Sequence, residues 1–434
     1  MEDTKMADKI NKRTVTKSES AVTRREFMGT TAKAVAAGTV AAGFPFISTG
    51  SDPIRTIGLG VSVINEIQAK AAEVMGYPVT GQALGYGAYF GKALNQNDQY
   101  DVCEGYFNDF DVMLPAKVFQ PLDTQRIKEW DKVSNLSKTG KLTPSSKEGD
   151  GDAPFRLLWC DADGNLIDGP SRYITALPMF HNADSLGYDK DALGRDVTSW
   201  ADMLSPDVKG AVGLTNTPQV GVMDVALAVE AAGLMSFKDK GDMTKAEIDQ
   251  LMDYLIGKKK EGHFRAFWET FGQSVNLMVS GEVLIESMWS PAVTAVRAEG
   301  INCIYATLKE GYRGWHAGIT ISAKASGKTL DRAYDYLNWW LEGWAGAFQG
   351  RMGYYHPIPD NVKKYMSAAE WDYWYMGQPA AEALGDPWGN PLVEKGEVRH
   401  GGSYETRFGN IAVWNSLMKE NNYLVKRWTE FLTA

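Results

Sequence analysis

Few residues of this 434-residue sequence stand in the spacing that catalysis requires. The sequence contains no Gly-x-Ser-x-Gly nucleophile turn, no His-Glu-x-x-His zinc motif and no phosphate-binding loop. Glu282 and Glu286 are four residues apart, but the surrounding run Val283–Trp289 is typical of a strand. On a strand both carboxylates point to the same face, and this spacing implies no acid–base pair. We therefore predict no catalytic residues.

Two short segments carry groups that bind metal ions in other proteins. Tyr354 and Tyr355 precede His356, and paired tyrosine phenolates are hard oxygen ligands for ferric iron; packing of these rings inside the fold is the alternative. The run Asp161–Asn165 begins like a calcium loop but lacks the closing glutamate, so we expect a hairpin turn. Three cysteines allow one disulfide, and together with five histidines they do not suggest a zinc cluster. We predict no metal site and no cofactor.

The composition is that of a folded, acidic protein. With 44% hydrophobic residues, the chain is too apolar to be disordered and is long enough for two packed domains. The net charge of -9 argues against nucleic acid as the main partner, because phosphate binding requires a basic surface.

The first fifty residues have the layout of a twin-arginine export signal. Arg24-Arg25 is followed by Phe27 and then by a weakly apolar run, Ala32–Phe46, which is too short for a membrane anchor. A chance pair of arginines before an alanine-rich helix is the alternative. The segment predicts export through the Tat translocase into a Gram-negative periplasm, with cleavage between about Gly43 and Asp52.

The chain after the signal alternates between strand and helix patterns. A strand pattern at Ile54–Gly60, helical spacing at Asn65–Met75 and further alternation to Glu104 predict a β-α-β-α-β unit with a parallel sheet. Ligands of such sheets lie beyond the carboxyl ends of the strands, which are here Gly60–Ser62 and Glu104–Phe107. Later segments predict strands at Phe155–Cys160, Ala211–Thr215 and Trp315–Ala323, helices at Val222–Ala232, Lys245–Leu255 and Phe264–Phe271, and a bent helix or helical hairpin at Leu330–Gly350.

The order of several short motifs resembles that of periplasmic solute-binding proteins of ABC importers, and the nearest branch is the spermidine/putrescine-binding group. The resemblance covers most of residues 54–365, whereas residues 366–434 align poorly. The motifs are Tyr100-Asp101-Val102, Ser199-Trp200-Ala201-Asp202-Met203, Asp207-Val208-Lys209-Gly210, Ser280-Gly281-Glu282, Trp289 and Gly353-Tyr354-Tyr355-His356-Pro357.

The resemblance implies an α/β fold of the type II periplasmic-binding-protein class. It has two lobes, each a mainly parallel sheet flanked by helices, with a ligand cleft between them. We expect residues 51–178 plus 315–360 in lobe 1 and residues 179–314 plus 361–434 in lobe 2. The implied partners are a small-molecule solute and the inner-membrane ABC permease, and the implied state is a monomer. A ferric-ion carrier and an exported periplasmic enzyme remain alternatives.

The resemblance also implies ligand-binding residues. In the polyamine-binding group, aromatic residues at the positions of Trp289 and Trp315 line the pocket and attract ammonium groups; core packing is the alternative for both. The acidic residues that this group uses are replaced here by Asn216 and Thr217. Further departures are His316-Ala317, in place of an aspartate, and Val61-Ser62, in place of an aromatic residue.

These departures favour a small polar solute, neutral or anionic, over a polyamine. Backbone N–H groups near Ser62 and Gly105 would suit an anionic group. Arg313 could pair with a carboxylate or phosphonate, or it could be a solvated loop cation. The predicted ligand-binding residues are Ser62, Gly105, Tyr106, Asn216, Thr217, Trp289, Arg313 and Trp315.

Overall fold

The computed structural model describes residues 52–152 and 154–434. The predicted export signal, residues 1–50, lies outside the described residues. None of the helices within the described ranges is both long and apolar enough to cross a membrane.

Helices and strands alternate along most of the described chain. The strands are β1 (Ile54–Leu59), β2 (Val79–Leu84), β3 (Val102–Tyr106), β4 (Phe119–Gln120), β5 (Leu122–Asp123), β6 (Asp150–Gly151), β7 (Trp159–Cys160), β8 (Tyr173–Ile174), β9 (Leu177–Asp189), β10 (Val212–Thr215), β11 (Phe264–Trp268), β12 (Ile285–Met288), β13 (Cys303–Tyr305), β14 (Tyr312–Ser322), β15 (Leu384–Gly385), β16 (Pro391–Val393) and β17 (Ile411–Trp414). The α-helices are α1 (Asn65–Met75), α2 (Tyr86–Asn95), α3 (Phe110–Met113), α4 (Asn135–Thr139), α5 (Pro154–Leu158), α6 (Lys190–Leu193), α7 (Pro218–Ala231), α8 (Lys245–Lys260), α9 (Phe271–Ser280), α10 (Ser290–Ala298), α11 (Gly327–Leu341), α12 (Trp344–Gly350), α13 (Pro359–Lys363), α14 (Ala368–Trp374), α15 (Tyr404–Phe408) and α16 (Asn421–Thr433).

The first five elements form the predicted β-α-β-α-β unit. β1 lies between β2 and β3 and is parallel to both, with α1 and α2 as the crossover connections. Ile54 and Ile57 of β1 and Ile67 and Ala71 of α1 belong to one buried cluster. We call the strands β2, β1 and β3 half-sheet A.

A second parallel unit follows in the later part of the chain. β10 lies between β11 and β12 and is parallel to both, and we call these three strands half-sheet B. α7 follows β10 and is buried on nearly every side from Gly221 to Val229, in agreement with its continuous apolar sequence. Each half-sheet therefore has the parallel arrangement predicted from the alternation of strands and helices.

Two long strands connect the half-sheets into one mixed sheet. β9 has 13 residues and β14 has 11, and all residues of both are buried. The two strands are antiparallel to each other, with Trp315 opposite Asn182 and Arg313 opposite Asp184. β14 also pairs with β3 of half-sheet A, whereas β9 also pairs with β12 of half-sheet B. We call β9 and β14 the crossing strands.

The buried side chains divide into clusters that follow this topology. The largest cluster contains residues from Ile54 to Phe180 and from Trp315 to Ile358. A second contains residues from Leu186 to Leu308 together with the C-terminal helix α16, which packs on α8. A third cluster combines α14, α15 and β17 with residues of the crossing strands, so the part of the chain after residue 366 packs against the middle of the sheet as well.

Three local predictions were wrong. Phe264–Phe271 has helical spacing, but Phe264–Trp268 forms β11 because it pairs with β10, and α9 begins only at Phe271. Most of the predicted strand Phe155–Cys160 is helical, since α5 extends to Leu158. Glu282 is exposed and pairs with Arg265 before β12 begins, whereas Glu286 is buried inside that strand.

Other local predictions were confirmed. The bent helix is divided into α11 and α12 at Gly343, whose φ of 103° is accessible to glycine and strained for other residues. The Asp161 carboxylate accepts hydrogen bonds from the backbone N–H groups of Asp163 and Asn165, which closes the expected turn. The sequence left open one disulfide among the three cysteines; all three lie within the described ranges and are buried and free.

Candidate functional site

Three of the predicted residues line one cavity at the carboxyl edge of half-sheet A. The cavity holds about 180 Å³ of empty space, including its mouth. The chain turns sharply after β1, because the backbone N–H and the hydroxyl of Ser62 both donate to the carbonyl of Leu59. This turn places Ser62 beside the end of β3. The lining residues are Leu59, Val61, Ser62, Glu104, Gly105, Tyr106, Met179, Phe180 and Ala317.

Glu104 is a lining residue that the sequence analysis placed at this edge but did not select. One carboxylate oxygen accepts a 2.6 Å hydrogen bond from the Tyr336 hydroxyl, and the other has no hydrogen-bond partner in the described structure. Burial raises the pKa of Glu104 from 4.5 to about 7. An unpartnered carboxyl oxygen in a cavity can accept a hydrogen bond from a ligand.

Gly105 lies where a larger residue would not fit. A Cβ atom at this position would lie 2.1 Å from the Tyr89 hydroxyl oxygen. Glycine therefore allows α2 to pack closely against β3, and the backbone of this strand end is exposed to the cavity.

The crossing strands contribute an aromatic cluster next to this cavity. The Trp315 ring makes edge-on contacts with Tyr106, Phe180 and Tyr354, with centroids 5.4 to 5.9 Å apart. Its indole N–H donates to the Asp184 carboxylate at 3.1 Å, which fixes the orientation of the ring. Tyr106 and Trp315 of this cluster were predicted from the sequence as ligand-binding residues, whereas Phe180 was not. Tyr354 was considered only as a metal ligand.

The carboxyl edge of half-sheet B holds three further predicted residues. Asn216 and Thr217 follow β10, and Trp289 follows β12 as the N-cap of α10. Trp289 is half-buried and contacts Trp268 edge-on, with centroids 4.9 Å apart. Thr217 is the N-cap of α7, but its hydroxyl makes no capping hydrogen bond.

Asn216 uses both ends of its side-chain amide inside its own half of the protein. Its NH₂ group donates to Glu269 at 2.7 Å, and its carbonyl oxygen accepts from the indole N–H of Trp428 at 3.3 Å. These contacts fasten the β10–α7 turn to α16. Of the predicted residues at this edge, Thr217 and Trp289 have side chains that are less constrained by hydrogen bonds than that of Asn216.

A chain of contacts joins the two edges behind the aromatic cluster. The carbonyl of Gly353, next to Tyr354, accepts hydrogen bonds from Asn182 and from Arg399, both at 3.3 Å. Arg399 also donates to the hydroxyl of Ser290, which follows Trp289. The two edges therefore meet at the crossing strands, and Trp315 and Tyr354 lie between them.

Arg313 is not a solvated loop cation, because it belongs to β14 and is buried. Its guanidinium group forms ion pairs with Asp224 at 2.7 Å and Asp184 at 3.2 Å, and it donates to Asn415 at 2.9 Å. Burial raises the pKa of both aspartates, and the charge of Arg313 opposes this effect. All these contacts are internal, so Arg313 connects the crossing strands to α7.

The two consecutive tyrosines point into different clusters. Tyr354 contacts Phe180 and Trp315, whereas Tyr355 packs among aromatic rings of α14 and α15 and donates to the carbonyl of Trp374. Their phenol oxygens have different surroundings. The geometry at these two positions does not bring paired phenolates to one ion.

One serine–histidine contact resembles the start of a nucleophile–base pair. The Ser137 hydroxyl lies 3.0 Å from Nε2 of His316, but both side chains are buried in the core. Burial lowers the pKa of His316 to about 3, so the ring is neutral at physiological pH. A solute could not reach this hydroxyl without opening the core.

The fold is shared with several solved binding proteins. The spermidine/putrescine ABC transporter substrate-binding protein of Streptococcus pneumoniae is 13% identical, with a TM-score of 0.60 over 88% of this chain and 99% of that chain. The Tp0655 lipoprotein of Treponema pallidum is 10% identical, with a TM-score of 0.60 over 88% and 98%. The binding protein MotA of A. tumefaciens, in complex with glucopine, is 14% identical, with a TM-score of 0.53 over 88% and 99%.

These likenesses confirm the predicted type II periplasmic-binding-protein fold. No curated protein matches the sequence. The sequence model of the family of bacterial extracellular solute-binding proteins matches residues 63–371, which is most of the chain. The protein therefore belongs to the bacterial extracellular solute-binding protein family.

Proposed function

We propose that this protein is the periplasmic substrate-binding component of an ABC importer. It captures a small polar organic solute in a cleft between two lobes and delivers it to the inner-membrane permease. The observation that carries this proposal is the position of the aromatic cluster. Tyr106, Trp315 and Tyr354 lie where the crossing strands meet the carboxyl edges of both half-sheets.

The lobes in this proposal are residues 51–178 plus 315–360 and residues 179–314 plus 361–434. The separate buried clusters around half-sheets A and B support two bodies linked by the crossing strands. Closing of the lobes would bring Trp289 and Thr217 toward Ser62, Gly105 and Tyr106. Only contacts that the solute makes in the closed state can drive such closure.

The proposed solute carries at least one hydrogen-bond donor and an apolar part. The free oxygen of Glu104 would accept a hydrogen bond, and the aromatic rings would pack on carbon atoms. This carboxylate also favours an amine as the second candidate, in line with the similar fold of a spermidine/putrescine-binding protein. Export by the Tat translocase, a periplasmic location and a monomeric state complete the proposal.

The direct test is a thermal-shift screen of the mature chain with amines, amino acids, sugars, phosphonates and carboxylates. A true solute stabilises the protein saturably, by roughly 2.7 kcal/mol at a hundredfold excess over its dissociation constant. The solute must also be recovered unchanged after prolonged incubation with the protein. Conversion of the compound would identify an exported enzyme instead, and a visible phenolate-to-metal absorption band would support a ferric carrier.

A further inference from the structure

A second cavity lies between α10 and the C-terminal segment and shares no lining residue with the cavity at half-sheet A. It holds about 270 Å³ of empty space, including its mouth. One wall is the side of α10 that carries Ser290, Val293, Thr294 and Arg297, and the other comes from α14 and the loop before α15. The lining residues are Ser290, Val293, Thr294, Arg297, Tyr305, Tyr373, Trp374, Arg399 and His400.

Arg399 is the central cation of this cavity and has only neutral partners. Its side chain is 6% exposed, and it donates to the carbonyls of Trp374 and Gly353 and to the hydroxyls of Tyr355 and Ser290. No carboxylate among the described residues forms an ion pair with it. A buried cation without a counter-ion is unfavourable, because neutral dipoles replace its hydration only in part.

A second buried arginine increases the positive charge at this place. Arg407 is fully buried, and its guanidinium carbon lies 5.2 Å from the ring centroid of Tyr305, which lines the cavity. Burial and the nearby charge of Arg407 lower the pKa of Arg399. Both arginines are packed over aromatic rings, which offsets only part of this repulsion.

The other arginine that lines the cavity, Arg297, has a carboxylate as its partner. Arg297 pairs with Glu397 at 2.7 Å, and the Tyr373 hydroxyl donates to the same carboxylate oxygen. Glu397 is thereby bonded to two other groups. The positive charge of Arg399 remains the one in this cavity that a bound anion would neutralise.

We propose that this cavity binds a small organic carboxylate. A carboxylate would supply the negative charge that the neutral partners of Arg399 lack, and the imidazole of His400 and the hydroxyl of Thr294 line the same space. Val293, Tyr305 and Trp374 line the same space and would cover the carbon part of the ligand. The carboxylate is either a free small molecule or the acidic end of the transported solute.

The test uses sodium acetate as the probe, with sodium chloride at the same ionic strength as the reference. Acetate should raise the unfolding temperature of the mature protein saturably and more than chloride does. In Arg399→Gln the apparent dissociation constant for acetate should increase at least tenfold, and in His400→Gln about threefold. Arg265→Gln, at an exposed ion pair with Glu282, is the control and should bind acetate like the unchanged protein.

The two sources of the carboxylate give different results. A free ligand is indicated by saturable acetate binding. The solute itself is indicated when acetate has no effect but a carboxylate found in the solute screen loses affinity in Arg399→Gln and in Thr294→Val. The proposal is overturned if acetate and chloride change the unfolding temperature equally and no such solute exists. It is also overturned if binding is unchanged in both Arg399→Gln and His400→Gln.

Arg399→Gln and His400→Gln are both used so that the test remains valid if one of them fails to fold. The acetate result is independent of whether the cleft at half-sheet A binds a solute.

Discussion

The crossing strands and the cleft edges both contain buried carboxylates but differ in whether an opposite charge of the chain is bonded to them. In the crossing strands, Arg313 joins Asp184 and Asp224 in a buried network. At the edges, one oxygen of Glu104 has no partner in the described structure, and Thr217 makes no capping bond. One oxygen of Asp224 also lacks a hydrogen bond, so the difference lies in charge pairing. Buried charges bonded to an opposite charge hold the crossing strands together, whereas Glu104 at the cleft edge has no ion-pair partner among the described residues.

The largest expected effect is on the bonded side of this comparison. Replacement of Arg313 by methionine should lower the free energy of unfolding by about 3–5 kcal/mol, because two buried aspartates lose their counter-ion. Urea denaturation followed by circular dichroism measures this change. Arg195→Met is the matched control: it also removes an arginine that pairs with two aspartates, but at the surface, so about 0–1 kcal/mol is expected. Equal losses in both variants would remove the distinction between the two regions.

A smaller effect of opposite sign is expected at Glu104. Its folded pKa is about 7 and its ordinary value 4.5, so the folded state loses stability relative to the unfolded state as pH rises between these values. Glu104→Gln removes this loss and still accepts the Tyr336 hydrogen bond. The variant should match the unchanged protein near pH 4 and exceed its unfolding free energy at pH 8 by roughly 1–3 kcal/mol. The raised pKa of Glu104 would be contradicted if the variant and the unchanged protein differed in unfolding free energy by the same amount at pH 4 and at pH 8.

The smallest effect concerns binding rather than folding. Trp289→Ala should weaken binding of the solute found in the screen by more than about 1 kcal/mol, with little change in the unfolding midpoint. Trp130→Ala is the matched control, because Trp130 is also half-buried and also contacts a second tryptophan, Trp159, edge-on. Titration calorimetry compares the two variants. Unchanged affinity in Trp289→Ala would assign this ring to the core instead of the cleft.

Local sequence patterns were sufficient where chain neighbours decide the structure. α1 has the bounds that its apolar spacing predicts, and the turn after β7 follows from the Asp161 side chain. The helical spacing of Phe264–Phe271 was misleading, because pairing with β10 outweighs local preference. A better signal was present: Thr270 and Gln273 form the capping box that begins α9.

For the candidate site, the sequence located the strand ends and the tertiary structure decided their surroundings. Position after a strand predicted that Ser62, Gly105, Tyr106 and Trp289 lie at sheet edges. The partners of each side chain could not be predicted in this way. Phe180 joined the aromatic cluster because β9 passes beside β14, and that pairing is made between distant parts of the chain.

The sequence by itself determined the alternation of strands and helices, the acidic charge and the family to which the chain belongs. These properties depend on periodicity and composition, which are local. Only the tertiary structure decided that Arg313 is internally paired and that Arg399 is not. Arg313 meets Asp224 across 89 residues of chain, and such a contact exists only after the sheet has brought both strands and helices together. The sequence around a charged side chain does not show whether its counter-ion is another residue or a ligand. The counter-ion depends on which groups the folded chain brings next to that side chain.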